Sequence, residues 1–249
     1  MSRFKIILII FSFFAGYSAH AQQFDWQYSS RLPTDYPTFF LGINASIALI
    51  SNSGDINFSE GEVMDCCSFS SGLGWSTDYG ITAEYWRHGD MAFFAKIAYS
   101  MNDNTFTKQR EGEVRVTDTL FYENELSSRT DYIRLEIGGR KKMFNSHFYI
   151  GAGIAFSYLI NNDNQIIERV LYPEYFPWRE RVVSEGSISN LNEAYFYPTI
   201  HFGYDIDLWL GTYATTGIVL GVPVQNVTKN AEWRAWHFSF EVSIRRGIF

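Results

Sequence analysis

Residues 195–208 read Tyr195-Phe196-Tyr197-Pro198-Thr199-Ile200-His201-Phe202-Gly203-Tyr204-Asp205-Ile206-Asp207-Leu208. The even positions are Phe196, Pro198, Ile200, Phe202, Tyr204, Ile206 and Leu208, while the odd ones include Thr199, His201, Gly203, Asp205 and Asp207. Successive side chains of an extended chain point to opposite faces, so this period of two predicts a strand with one apolar and one polar face. The same period governs Met91 to Ser100, with Met91, Phe93, Ala95, Ile97 and Tyr99 on one side. It returns in Phe148 to Ile160, where Phe148, Ile150, Ala152, Ile154, Phe156, Tyr158 and Ile160 alternate with Tyr149 and a crowd of small residues.

Working outward, the same test gives strands near Phe39 to Ile50, Leu73 to Arg87, Asp131 to Lys142, Thr212 to Val224 and Arg234 to Ile248, for a predicted total of eight. Each is longer than the usual strand of about 5 to 6 residues and suits a tilted bilayer crossing. The connections alternate. Long ones cover about 51–72, 102–130 and 161–194, short ones 88–90, 143–147 and 209–211, and a medium one about 225–233. Tight turns at one end and long loops at the other describe an all-β, eight-stranded antiparallel up-and-down transmembrane β-barrel with periplasmic turns and extracellular loops. A soluble barrel such as a lipocalin would place its large residues inside and polar ones outside; here one face is continuously apolar and the other holds Gly, Ser and charges. Leu208 to Thr228 carries no charged residue and has the length of a membrane helix, but Gly211, Gly217, Gly221, Pro223 and many Thr and Val residues favour a strand.

The N-terminus places Arg3 and Lys5 before an uncharged run, Ile6 to Ala19, that ends in Ala19-His20-Ala21. That pattern predicts a signal peptide over residues 1–21, too short to span a membrane, cleaved after Ala21. Residues 22–38 then form a short periplasmic lead, and 39–249 the barrel. The chain is 46% hydrophobic and 18% aromatic with a formal charge of −7, which excludes disorder and a basic nucleic-acid-binding field. Cys66 and Cys67 are adjacent and are the only cysteines, so a disulfide framework and a zinc set are excluded. Two free thiols and a vicinal disulfide both remain open. No cofactor is expected, since Gly151-x-Gly153 lies inside a strand rather than in a phosphate-binding turn.

The stretch Asp131-Tyr132-Ile133-Arg134-Leu135-Glu136-Ile137-Gly138-Gly139-Arg140, its short turn, and Phe148-Tyr149-Ile150-Gly151-Ala152-Gly153 together resemble the central hairpin of the PorT-like (OmpA-like) outer-membrane β-barrel family of the Bacteroidetes type. Gly80-Ile81-Thr82-Ala83-Glu84-Tyr85 fits its second strand. The resemblance implies an outer-membrane location and, in some members, a part in secretion or gliding machinery. It implies no catalytic residue.

The inward parity collects Asp78, Glu84, Lys96, Arg134, Glu136, Arg140, Lys142, His201, Asp205, Asp207, His237, Glu241 and Arg245. The interior of an eight-stranded barrel is just wide enough for side chains to fill, and buried charges must pair. A lumen network of Glu84, Lys96, Arg134, Glu136, Arg140, His201, Asp205, His237 and Glu241 is therefore expected, against the alternative that these charges line a narrow gated pore. His201, His237, Ser239 and Glu241 include the groups of a hydrolase, yet no Gly-x-Ser-x-Gly turn accompanies them. Outside the barrel, Tyr172, Tyr175, Phe176 and Trp178 make a proline-stiffened aromatic tip with the composition of a contact site, or of a girdle. Phe249 ends the chain as a partial assembly signal; its parity would be reconciled by a bulge near Arg246-Gly247. The expected protein is a non-enzymatic outer-membrane scaffold or surface-interaction protein. Its expected partners are membrane lipid, the barrel-assembly machinery and an envelope or surface protein, and not nucleic acid.

Overall fold

The computed structural model describes residues 38–57, 68–88, 90–113, 119–143, 146–172, 179–188, 190–209, 211–229 and 232–248. The predicted signal peptide, the lead up to residue 37, Cys66, Cys67, Tyr175, Phe176, Trp178 and Phe249 lie outside the described residues, as does the Tyr172 side chain. The described strands are β1 (Phe39–Asn57), β2 (Ser68–His88), β3 (Met91–Glu113), β4 (Thr119–Lys142), β5 (Phe148–Tyr172), β6 (Glu180–Gly186), β7 (Ala194–Trp209), β8 (Thr212–Gly221) and β9 (Glu232–Ile248). Every pairing is antiparallel, and the ring runs β1-β2-β3-β4-β5-β7-β8-β9 and back to β1. The fold is therefore an all-β, eight-stranded antiparallel barrel.

The ninth strand comes from local doubling. Above Asn164, β5 leaves β7 and pairs with β6 instead, as Asn164↔Gly186 through Arg169↔Glu180. On the other side β3 and β4 stay in unbroken register from Met91↔Lys141 to Glu113↔Thr119. Most of the expected loops 102–130 and 161–194 is thus hairpin. The apolar alternation fades there because polar cross-strand contacts take over. Arg169 lies 3.7 Å from Glu123, 3.5 Å from Glu125 and 2.7 Å from Glu180, and Arg181 lies 3.1 Å from Glu168.

At the opposite end, three tight connections turn the chain. The β7–β8 turn places Gly211 at φ 71°, a left-handed conformation that favours glycine. β8 stops at Gly221, three residues before the expected Val224, because Pro223 has no N–H to continue the ladder. No bulge interrupts Arg246-Gly247: β1 pairs β9 continuously from Phe39↔Ile248 to Asp55↔Glu232. Arg245 points inward and Arg246 outward in plain alternation, so the expected bulge is absent and two adjacent arginines serve opposite faces.

The outer face is apolar around the ring, with Ile43 65% exposed, Trp75 61% and Phe240 55%. Outward charges collect at its two edges, Arg87, Lys141 and Arg246 at the short-turn end and Asp103, Arg129 and Asp163 at the hairpin end. Among the described residues no helix is long and apolar enough to cross a membrane, a statement that does not bear on strands.

Candidate functional site

The inner face carries five cations, Lys96, Arg134, Arg140, Lys142 and Arg245, and five carboxylates, Asp78, Glu84, Glu136, Asp205 and Glu241, among the described residues. They pair across the lumen in layers. At the short-turn end Glu84 on β2 receives Arg140 from β4, Arg245 from β9 at 3.2 Å and the Tyr213 hydroxyl from β8. Arg140 also reaches Asp205 on β7 at 2.8 Å, and Asp205 accepts from Thr215 at 2.8 Å. The Arg140 guanidinium lies 4.6 Å from the Tyr149 ring centre and 5.1 Å from that of Trp86. Lys142 stands 3.8 Å from Asp205.

The middle layer joins Lys96 on β3 to Glu241 on β9 at 2.7 Å and to Glu136 on β4 at 3.5 Å. Glu136 accepts from Thr199 at 2.6 Å and meets His201 Nε2 at 2.7 Å. The His201 ring rests edge-on against Phe94. One layer higher, Arg134 donates to Asp78 at 2.6 Å and to Ser100 at 3.0 Å, and Asp78 also accepts from Ser46 and Ser76. Tyr197 stacks on His237, with ring centres 4.9 Å apart and planes 7° apart. Of the sequence candidates only Asp207 leaves the column; it is half-buried at the rim, 3.8 Å from His147.

Glycines make this filling fit. A Cβ on Gly221 would come within 2.8 Å of the Tyr197 ring, and one on Gly217 within 2.8 Å of the Tyr149 hydroxyl. The crowd of small residues on the polar parity is thus the counterpart of large aromatic residues on the same face.

Toward the hairpin end the column turns apolar. Ile50, Phe69, Phe106, Leu126, Leu191, Val227, Trp233 and Ala235 form a buried cluster, with Phe106 edge-on to Trp233 at 5.3 Å. Two connections close over it. Leu191 bridges to Thr228, and the Asn192 amide donates to the carbonyls of Asn226 at 2.9 Å and Thr228 at 3.1 Å. Beneath, Trp233 Nε1 donates to Asn52, whose amide donates to Asn104, each at 2.8 Å. Among the described residues the lumen has a cavity of about 30 Å³ and another of about 10 Å³.

No hydrogen bond links Ser239 to His201 or His237 among the described residues, and the same residues hold no group of three or more His, Cys, Asp or Glu arranged for a metal ion. Beside the charges the inner face carries the aromatic residues Trp86, Phe94, Tyr132, Tyr149, Tyr195, Tyr197 and Tyr213, of which only Tyr149 is placed there by the sequence analysis above. Their parity, shared with the charged positions, was the available signal.

No protein-family model matches the chain, and no curated protein does. Among solved structures, Neisserial surface protein A is similar over 85% of this chain and 97% of its own at 10% identity, with a TM-score of 0.36. The attachment invasion locus protein Ail of Yersinia pestis is similar over 83% and 97% at 8% identity, with a TM-score of 0.34. The outer membrane protease OmpT of Escherichia coli is similar over 88% and 100% at 8% identity, with a TM-score of 0.35.

Proposed function

We propose that the chain is an integral outer-membrane barrel of the bacterial envelope, exported with a cleaved signal peptide, whose filled lumen makes it a scaffold for surface or envelope interactions. The observation that carries this reading is the inverted polarity of the ring: apolar residues outside, paired charges inside. On β1 the outward apolar set runs from Phe39 to Leu49. At a rise of about 3.4 Å per residue and a tilt of about 40° this covers about 25 Å, the height of a lipid-facing band. Tyr85, Phe93, Phe148 and Trp209 toward the short-turn end, with Trp75, Tyr99, Tyr158 and Trp236 toward the other, have the places of two interfacial girdles.

In this reading the short turns are periplasmic, the hairpins extracellular, and the barrel-assembly machinery inserts the chain. The aromatic segment that carries Tyr175 and Trp178 engages the envelope or surface partner, as an accessory of secretion machinery would. The reading assigns no enzymatic step, because among the described residues Ser239 is bonded to neither His201 nor His237. A narrow ion-conducting pore is the rival, and it requires the cross-lumen pairs to part. Planar-bilayer conductance of the folded protein, with folding verified by heat-modifiable gel mobility, separates the two. A silent bilayer is expected, and discrete conductance steps would overturn the filled-lumen scaffold.

A further inference from the structure

His237 is buried to 97%, and neither of its ring nitrogens has a hydrogen-bond partner among the described residues. Its imidazole is held by π-stacking on Tyr197, so the ring is positioned while its polar edge is left open. Among the described residues His237 alone lines both of the cavities described above. The larger is walled by Asn44, Asp78, Ser239 and Glu241, among others, and the buried Asn44 Oδ1 is a further atom without a partner. The smaller is walled by Asn102, Asn104 and Thr130 as well as by apolar groups.

A buried polar atom without a partner is rare in a folded protein, and an unfilled cavity is ordinarily an apolar one. The larger cavity is predominantly polar, and the smaller, mainly apolar, has the polar groups of Asn102, Asn104 and Thr130 in its wall. A water molecule needs about 10 to 15 Å³ of such space and two to four polar neighbours. The larger cavity has room for about two, and the smaller is at the threshold for one.

We propose that His237 is the centre of a built hydration site, with one ring nitrogen bonded to water in each cavity. A neutral imidazole offers one donor and one acceptor, so a single ring can serve both sides. The water on one side completes Asn44 and the carboxylate layer, and the water on the other joins the Asn102–Asn104 side. The stacked ring is then the partition between two hydrated compartments, one among the ion pairs and one beneath the apolar cluster. This inference goes beyond the proposed function and does not depend on the lumen being closed to ions.

The test uses the full folded chain in detergent or lipid. A crystal structure that resolves other buried waters is expected to show density within hydrogen-bonding distance of both His237 nitrogens. Water-to-imidazole cross-peaks in ¹⁵N-detected NMR are expected at both as well. His237→Phe keeps the aromatic stack and removes the nitrogens, and is expected to lose both water sites while retaining heat-modifiable mobility. If that variant does not fold, the wild-type spectra decide alone. Dry cavities in such a map, or nitrogens bonded directly to protein atoms, would overturn the proposal. Waters present in a barrel that conducts would uphold it while removing the filled-lumen reading.

Discussion

Lys96 on β3 and Glu241 on β9 are joined at 2.7 Å across the lumen, although β2 and β1 lie between their strands in the ring. The pair is a strut between distant parts of the wall. Arg134–Asp78, Arg245–Glu84 and Arg140–Asp205 likewise each bypass a strand. Struts of this kind close the ring and occupy its interior at once.

Removing one end of a buried pair leaves an uncompensated charge, a change that costs about 3–5 kcal/mol. Lys96→Met leaves Glu136 and Glu241 facing one another without their shared cation. Its urea midpoint, followed by gel mobility in lipid vesicles, is expected to fall accordingly. Lys96→Met combined with Glu241→Gln is expected to recover part of that loss. A double variant as unstable as the sum of the two singles would show that the pair is not coupled.

Gly221 tests the fit between glycine and aromatic residues. The methyl of Gly221→Ala would press on the Tyr197 ring and approach the His237 Cβ, 3.1 Å away. Overpacking of this kind costs about 1–3 kcal/mol. Equilibrium unfolding should register that loss, and Tyr197→Leu in the same chain should relieve most of it by vacating the contested volume. An unchanged stability of Gly221→Ala would mean that the ring has freedom to move aside.

The closure over the apolar cluster combines a backbone bridge between Leu191 and Thr228 with the side-chain amide of Asn192. Asn192→Ala deletes both side-chain bonds to the 222–229 connection. Hydrogen exchange is expected to accelerate in 190–193 and 226–229, by about fivefold to tenfold if the two bonds are together worth about 1 kcal/mol or slightly more. Exchange in β1 and β9 should stay as it was. Acceleration throughout the barrel would contradict a local closure.

The ring and the identity of its two faces were legible because an apolar outer face and a polar inner one demand a strict period of two, and Tyr195 to Leu208 shows it without interruption. The column of charges followed from the same parity. What escaped was structure that obeys no apolar alternation. β3 beyond Asn102 and β5 beyond Ile160 are held by backbone pairing and by charge ladders such as Arg169 with Glu180, so their hydropathy resembles that of loops. The cluster of Phe69, Phe106, Leu191, Val227 and Trp233 was hidden for a different reason. It draws single residues from strands and connections far apart in sequence, and no periodicity links them. The doublet Arg245-Arg246 misled because two charges in a row suggest an interruption, whereas the rim of the barrel accommodates an outward arginine directly beside an inward one.

The outer face gives the most direct test of the proposed membrane setting. Ile43 lies near the middle of the apolar band, paired with Ile81 on one side and Ile244 on the other. A lysine at the bilayer midplane of a barrel costs about 2–4 kcal/mol, falling to about 0–1 near the interface. Ile43→Lys is therefore expected to reduce folding into vesicles by that amount, while Ser53→Lys, next to Arg234 at the hairpin end, should be nearly silent. In aqueous solution an exposed Ile→Lys change would have little effect on stability. The depth profile is thus the discriminating quantity: a large loss at Ile43 with tolerance at Ser53 is the signature of a hydrocarbon layer. Equal tolerance at both positions would remove the membrane from the account of this fold.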